Sequence, residues 1–149
     1  MENRFNLSLE LINDYKFTID FGGFGELITD EAKPLGGGEG PNPSRMLAAS
    51  VANCLAASLL FALRKYDNEP GKVTADVEGQ VERVEGRWRV TEIDVKLYLG
   101  KEQDCFDQLQ TALDAFEDFC VVTQSVRSGV NVNVDVYDLN NTRLKHGDS

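Results

Sequence analysis

The sequence predicts an α+β fold in which antiparallel sheets pack on a long central helix and a second helix. Segments that alternate polar and apolar residues, as half-buried strands do, flank two stretches of helical character. A chain of 149 residues with 42% apolar and 27% charged residues is typical of one globular domain. We therefore predict a single domain over residues 1–149, of which 138–149 form a polar, frayed C-terminal tail.

Strands are predicted wherever apolar residues recur at every second position. The segments with this pattern are residues 5–12, 15–21, 26–29, 72–85, 88–99 and 130–137. Asn13-Asp14 separates the first two segments, and Glu85-Gly86-Arg87 separates the two long ones. Both connections are short enough to predict hairpins.

The central helix is predicted from the N-cap Asn42 to about Tyr66. Within it, Met46 to Leu63 is a run of 18 residues without a formal charge, a length that also suits a transmembrane segment. Polar residues within the run and soluble-type strands on both sides favour a helix that is buried all round in a protein core. A single small sheet covers only one side of such a helix, so we expect a homodimer.

A second helix is predicted over residues 102–120. Apolar side chains recur there every three or four residues, at Phe106, Leu109, Leu113, Phe116 and Cys120. Most of its acidic residues fall on the other side of the helix and are interpreted as a solvated face.

Composition excludes several classes of function. A formal charge of −10 repels phosphate backbones and anionic lipid, so we expect no nucleic-acid partner and no membrane partner. The single histidine, His146, and three scattered cysteines do not suit a histidine triad or a metal site, so no metal is expected. The loop GGGEGPNP lacks the ending of a phosphate-binding P-loop and is interpreted as a flexible turn that leads into the central helix.

The expected location is the cytoplasm. The N-terminal segment MENRFNLSLELINDYKF lacks an apolar stretch of the length that a signal peptide needs. Cysteines that do not form a disulfide framework also suit a reducing compartment.

Two of the three cysteines are predicted to point into the core. Cys54 lies in the middle of the central helix, and Cys120 lies at the end of the apolar stripe of the second. The residues alone leave two interpretations open, small core hydrophobes or a reactive pair, and favour the first. Cys105, at the start of the second helix, is interpreted as structural or incidental.

Two segments resemble the OsmC/Ohr superfamily of osmotically induced and organic hydroperoxide resistance proteins. They read DEAKPLGGGEGPNPSRMLAASVANCLAASLLFALRK, from Asp30, and FCVVTQSVRSGVNVNV. The family pattern is a glycine-rich loop, a Gly-x-Asn-Pro helix start, a cysteine eleven residues after the proline, and a second cysteine that closes the next long helix. Pro43 and Cys54 keep that spacing, and Cys120 takes the second place. The order of elements is similar from about residue 5 to residue 137.

The resemblance implies an intertwined homodimer with active sites at the subunit interface. It also implies thiol peroxidase chemistry on small organic hydroperoxides, without a metal, haem or flavin cofactor. In that chemistry Cys54 becomes a sulfenic acid, Cys120 resolves it as a disulfide, and an external dithiol reduces the pair.

The family motif also implies a cation that activates the first thiol, namely an arginine from the N-terminal hairpin held by a glutamate just after Asn-Pro. Here Ser44 occupies the glutamate position, and Lys16 lies where the arginine is expected. Lysine is a point cation and lacks the bidentate fork of arginine. Arg45 and Arg127 are the other candidates for this role.

Three functional hypotheses follow from the sequence. The first is a hydroperoxide reductase that uses Cys54 and Cys120. The alternative is a non-catalytic dimer that binds a small apolar ligand at its interface cleft, with the cysteines serving only in packing. A third is a sensor whose dimer surface changes when the two cysteines form a disulfide.

Overall fold

Two compact units divide the chain, residues 1–46 and 47–149. The computed structural model describes residues 2–147. Helix α1 begins in the first unit and continues into the second. The expected single domain over residues 1–149 stays a prediction.

The N-terminal unit contains a three-stranded antiparallel sheet. Its strands, in the order β1-β2-β3, are β1 (Ser8–Asn13), β2 (Lys16–Asp20) and β3 (Glu26–Thr29). Asp14, with a φ of 45°, makes the turn between β1 and β2. The first hairpin and the short third strand are therefore confirmed.

The glycine-rich loop after β3 is ordered by one buried carboxylate, rather than being a flexible turn. Asp30 accepts hydrogen bonds from three backbone N–H groups of the loop, those of Glu31 at 2.8 Å, Gly37 at 3.2 Å and Glu39 at 3.2 Å. A side chain at Gly40 would place its Cβ 2.3 Å from the carbonyl oxygen of Ile28, so the chain packs there only as glycine.

The second unit contains a four-stranded sheet in the order β4-β5-β6-β7. The strands are β4 (Thr74–Val84), β5 (Arg87–Tyr98), β6 (Asn131–Tyr137) and β7 (Arg143–Lys145). Glu85 and Gly86 join β4 to β5 with φ values of 52° and 80°, as a two-residue hairpin turn requires. The second hairpin is therefore confirmed.

The pairing of β5 with β6 is parallel, so the expectation of purely antiparallel sheets is wrong for this sheet. Val95 lies opposite Val134, and Leu97 lies opposite Val136. The chain between the two strands is largely helical and returns to the other end of the sheet, which is the crossover that a parallel pair needs. Alternation along each strand does not reveal its direction.

Helix α1 (Pro43–Arg64) begins as predicted, because the Asn42 side chain accepts the backbone N–H of Arg45 at 2.9 Å. Its buried side chains join those of β5 and β6 in one core cluster; in α1 they are Val51, Ala52, Leu55, Ser58, Leu59, Ala62 and Leu63. The opposite face is exposed in the single chain, and its burial by a second copy stays a prediction. In length and apolar composition α1 would also suit a membrane span, a test that core helices of soluble proteins pass too.

The predicted second helix is divided into shorter pieces. They are a 3-10 turn at Gln103–Cys105, helix α2 (Leu109–Ala115), a 3-10 turn at Phe116–Phe119 and helix α3 (Val121–Val126). The Asn68 side chain accepts the backbone N–H of Asp107 at 2.8 Å and donates to its carbonyl at 2.7 Å. These bonds divert the backbone groups that a continuous helix would use, and Gln108 then takes a φ of 54°. The apolar stripe is nevertheless kept, since Phe106, Leu113 and Phe116 are buried.

The C-terminal tail contains β7 and is not frayed throughout. Asp138 is buried and accepts the backbone N–H groups of Asn140 and Thr142, each at 2.9 Å, which closes the turn from β6. A second oxygen of Asp138 accepts the N–H of Gln103 at 2.9 Å. One buried carboxylate thus attaches the tail to the helical segment.

We expect Asn68→Ala to lower the free energy of unfolding by about 2 kcal/mol, because two backbone groups of Asp107 lose their partner. A urea unfolding titration, monitored by circular dichroism, measures this change in the free energy of unfolding. Asn140→Ala, on an exposed side chain, is the matched control and should stay within about 0.5 kcal/mol. Equal effects of the two substitutions would contradict the role given to Asn68.

Candidate active site

Cys54 lies on the flank of the buried face of α1. Its neighbours Leu55 and Val51 are fully buried, whereas Cys54 is partly exposed and packs against the edge of the core. Ala57, one turn further on, is small and exposed. The Cys54 sulfur can therefore be reached from outside the core.

Cys120 is fully buried at the N-cap position of α3. Its sulfur accepts the backbone N–H of Thr123 at 3.4 Å and lies 2.8 Å from the Thr123 hydroxyl oxygen. Thr123 is also fully buried. A cysteine at this position takes the place of the serine or aspartate that usually caps a helix.

The Cys54 and Cys120 thiols lie close enough to influence each other, since Cys54 packs against the core cluster that contains Cys120. Burial raises the pKa of Cys120 above its ordinary value of 9.0, and the neighbouring Cys54 thiol raises it further. The hydrogen bonds with Thr123 act in the opposite direction but do not outweigh burial. Cys120 therefore remains a thiol at neutral pH. The prediction that both cysteines point inward is met at Cys120, while Cys54 lies at the boundary of the core.

Of the three candidate cations, Lys16 and Arg45 belong to the N-terminal unit. Lys16 begins β2, and its Nζ lies 3.0 Å from Oε2 of Glu39 in the glycine-rich loop. Arg45 is exposed in the first turn of α1, beside the half-buried Ser44. The activating role of either cation stays a prediction.

Arg127, the third candidate, is engaged in a charge cluster with Glu117 and Lys145. Its guanidinium pairs with the Glu117 carboxylate and also donates to the Val132 carbonyl at 3.2 Å. Lys145 Nζ lies 2.6 Å from Oε2 of Glu117 and donates to the Leu113 carbonyl at 2.6 Å. Burial alone would raise the pKa of Glu117, but the hydrogen bonds from Arg127 and Lys145 lower it below its usual value of 4.5.

Cys105 is free and exposed at the end of a 3-10 turn. It makes no hydrogen bond with Cys54 or Cys120. Within residues 2–147, no three side chains of the ligating types lie close enough together to hold a metal ion. The candidate site contains two neighbouring thiols, the partly exposed Cys54 and the buried Cys120.

Three residues of this region were not singled out for these roles from the sequence. Thr123 lies three residues after Cys120, which is the spacing of an N-cap and its partner, so this contact had a detectable signal. Glu117 was assigned to a solvated face, yet it is half-buried between two cations. Glu39 lies in a loop, where no periodicity indicates its partner.

The family model for OsmC-like protein matches residues 36–135. The chain belongs to the OsmC-like protein family. The matched segment contains Cys54 and Cys120 together with the helices and the central strands of the second unit. A comparison with curated proteins found no match.

Solved structures share the fold of this OsmC-like protein. The OsmC-like protein of Mycoplasma pneumoniae is 16% identical, with a TM-score of 0.75 over 93% of this chain and 99% of that chain. An organic hydroperoxide resistance protein of Elizabethkingia anophelis is 15% identical, with a TM-score of 0.72 over 93% and 99%. An organic hydroperoxide resistance protein of Legionella pneumophila is 16% identical, with a TM-score of 0.68 over 88% and 94%. These likenesses confirm the predicted α+β, OsmC-like fold.

We expect Glu117→Gln to lower the free energy of unfolding at neutral pH by about 2 kcal/mol. This loss lies between those expected when an exposed ion pair and a buried ion pair are broken. Because the pKa of Glu117 is lower in the folded chain, its stabilising contribution is present above the usual value of 4.5 and is lost as the pH falls through the folded value. The difference between variant and wild type, measured by urea unfolding, should therefore shrink in acid.

Glu69→Gln serves as the control, because Glu69 pairs with Arg64 on the exposed surface at 3.3 Å. We expect its effect to stay below about 1 kcal/mol. An effect of Glu117→Gln that is equally small, or that does not change with pH, would show that the cluster does not stabilise the fold.

Proposed function

We propose that this OsmC-like protein is a cysteine-based thiol peroxidase that reduces organic hydroperoxides. The observation that carries the proposal is the proximity of an accessible Cys54 thiol and a buried Cys120 thiol on separate elements of one core. The relatives named as organic hydroperoxide resistance proteins support the choice of substrate class.

The two cysteines differ in access, and this difference supports the order of the steps. Cys54 is partly exposed and meets the peroxide first, whereas Cys120 is fully buried. The Cys54 thiolate attacks one peroxide oxygen, the O–O bond breaks, and Cys54 sulfenic acid and an alcohol are formed. The Cys120 sulfur then attacks the Cys54 sulfur, which forms the disulfide and releases water.

Reduction of the disulfide completes the cycle. An external dithiol supplies the two electrons by thiol–disulfide exchange, so the reaction needs no bound cofactor. Three free thiols in one chain suit a reducing compartment, and we infer that the protein acts in the cytoplasm.

The candidate cations for activation of Cys54 are Lys16, Arg45 and Arg127, of which Lys16 and Arg127 already pair with a carboxylate. Arg127 is already neutralised by Glu117 and bonded to a backbone carbonyl. Lys16 and Glu39 form a cation–carboxylate pair of the kind that the family resemblance implies, with the carboxylate coming from the glycine-rich loop instead of position 44. Arg45 is the remaining candidate.

An apolar substrate is supported by the aromatic residues on the elements that carry the cysteines. Phe61 lies two turns after Cys54 on α1, and Phe119 directly precedes Cys120. Their rings pack edge to face with centroids 5.2 Å apart, yet they remain 55% and 42% exposed. Such a surface favours a peroxide with an organic group over hydrogen peroxide.

We further propose that the protein is a homodimer. Every residue of β4 is exposed in the single chain, including Val77 and Val81, whose side chains are 40% and 47% exposed. The outer face of α1 is exposed as well. A second copy of the chain would cover apolar surface that a monomer leaves in water.

The peroxidase proposal predicts that one equivalent of cumene hydroperoxide converts the reduced protein to a Cys54–Cys120 disulfide within seconds. Quenching with an alkylating agent followed by peptide mapping measures the bond. Cys54→Ser should abolish thiol oxidation, and Cys120→Ser should stop the reaction at a Cys54 sulfenic acid that dimedone traps.

Cys105→Ser is the matched control, since Cys105 is exposed and separate from the pair; this variant should behave like the wild type. Survival of both Cys54 and Cys120 thiols after the pulse would exclude the peroxidase and favour a dimer that binds an apolar ligand. Fast disulfide formation without turnover by dithiols would favour a redox sensor.

The dimer proposal predicts that Val81→Asp lowers the mass measured by light scattering from that of two chains to that of one. The charged side chain would be placed on apolar surface that the second copy covers. Gln80→Asp, which introduces the same side chain on the other face of the same strand, is the control and should leave the mass unchanged. A wild-type mass of one chain would contradict the proposal.

A further inference from the structure

Thr123 touches the Cys120 sulfur with two different groups. Its backbone N–H donates to the sulfur at 3.4 Å, and its hydroxyl oxygen lies 2.8 Å from the same atom. Both residues are fully buried, so water does not substitute for these contacts. Apart from Cys54, the sulfur that is proposed to close the disulfide thus has its polar contacts with one residue, Thr123.

A hydroxyl can serve a sulfur atom in both of its protonation states. It accepts a hydrogen bond from a thiol S–H, and after rotation of its own hydrogen it donates one to a thiolate. A methyl group in the same place does neither. This matters at Cys120, because burial opposes ionisation of the sulfur and the Thr123 contacts are the ones that favour it.

We propose that Thr123 is a catalytic residue of the disulfide-forming step, whose hydroxyl holds the Cys120 sulfur as a thiol at rest and stabilises it as a thiolate during attack. This inference rests on the proposed peroxidase function. The Cys120 sulfur already caps α3 by accepting the Thr123 backbone N–H, so the Thr123 hydroxyl is not needed to begin the helix.

The step balances without a further reactant. The Cys120 sulfur loses its proton and attacks the Cys54 sulfur of the sulfenic acid. The S–S bond forms, the S–O bond breaks, and the leaving hydroxide takes up the proton to become water. Cys120 is oxidised and the Cys54 sulfenic acid is reduced.

The charged and titratable groups on the elements around Cys120 lie on α1, on the 3-10 turn before Cys120, at the end of α3 and on β7. On α1 these are the Cys54 thiol, which lies close to Cys120, and Lys65, which stacks 5.3 Å from the Phe119 ring centroid. The turn before Cys120 carries Glu117 and the exposed Asp118, and Arg127 follows α3. Glu117 is paired with Arg127 and Lys145, so a substitution there would disturb three charged groups at once. The Thr123 hydroxyl touches the Cys120 sulfur directly, and a substitution can remove it without changing a charge.

The test compares Thr123→Val with the wild type after a pulse of one equivalent of cumene hydroperoxide. We expect Cys54 to be oxidised at the wild-type rate, while the disulfide forms roughly tenfold more slowly at neutral pH. Dimedone should trap Cys54 sulfenic acid in the variant, and the rate should rise toward that of the wild type in alkali. Thr123→Ser, which keeps the hydroxyl, should restore the rate. A wild-type rate of disulfide formation in Thr123→Val at every pH would overturn the proposal.

A second measurement separates this inference from the peroxidase proposal. In a Cys54→Ser, Cys105→Ser background, the ultraviolet absorbance of the thiolate reports ionisation of Cys120 without any peroxide. Thr123→Val, or Thr123→Ala if the valine variant does not fold, should move the midpoint to higher pH, and an unchanged midpoint would overturn the role of Thr123. Ser125→Ala is the matched control, since that hydroxyl donates to the Val121 carbonyl at 2.7 Å within the same helix.

Failure of the wild type to react with cumene hydroperoxide would overturn the peroxidase proposal. The catalytic role of Thr123 would fall with it, even if the midpoint of the Cys120 titration were shifted in the variant.

Discussion

The packing of one face of α1 on β5 and β6 is the interaction on which the rest of the second unit depends. Leu55, Leu59 and Leu63 are buried there among the valines of the two strands. Each such side chain contributes roughly 1.5–3 kcal/mol of hydrophobic stabilisation. Cys54 is adjacent to Leu55, so the same packing that anchors the helix also determines where the first sulfur lies. The proximity of the two thiols is thus a consequence of the core.

The parts of this fold that the sequence predicts are those with a local cause. Pro43 after an N-capping Asn42 marks the start of α1, and the structure begins the helix there. Glu85-Gly86 provides two residues that adopt positive φ, so the long hairpin follows. The inward position of Cys120 follows from the periodicity of its apolar neighbours, and burial confirms it. Each of these signals is contained within a few residues.

The features that could not be predicted depend on residues far apart in the chain. Asn68 lies 39 residues before Asp107, and their hydrogen bonds break a helix whose apolar period is intact. The parallel pairing of β5 with β6 depends on how the intervening helices cross the sheet, which alternation does not encode. At the site, Glu117 belongs to a half-buried charge cluster because Lys145 returns on β7, a strand predicted as part of a frayed tail.

This unit accommodates two acidic groups, the half-buried Glu117 and the fully buried Cys120, by opposite means. Glu117 is ionised, because Arg127 and Lys145 compensate the cost of taking its charge out of water. Cys120 is partnered by a thiol and a threonine, which are weaker than a cation, and burial therefore keeps it protonated. A protonated thiol is a poor nucleophile, so under the proposed peroxidase function Cys120 would not compete with Cys54 for an incoming oxidant. In the proposed cycle, the same environment that protects Cys120 at rest would require a local group to assist its ionisation after Cys54 is oxidised, and the hydroxyl that touches the sulfur belongs to Thr123.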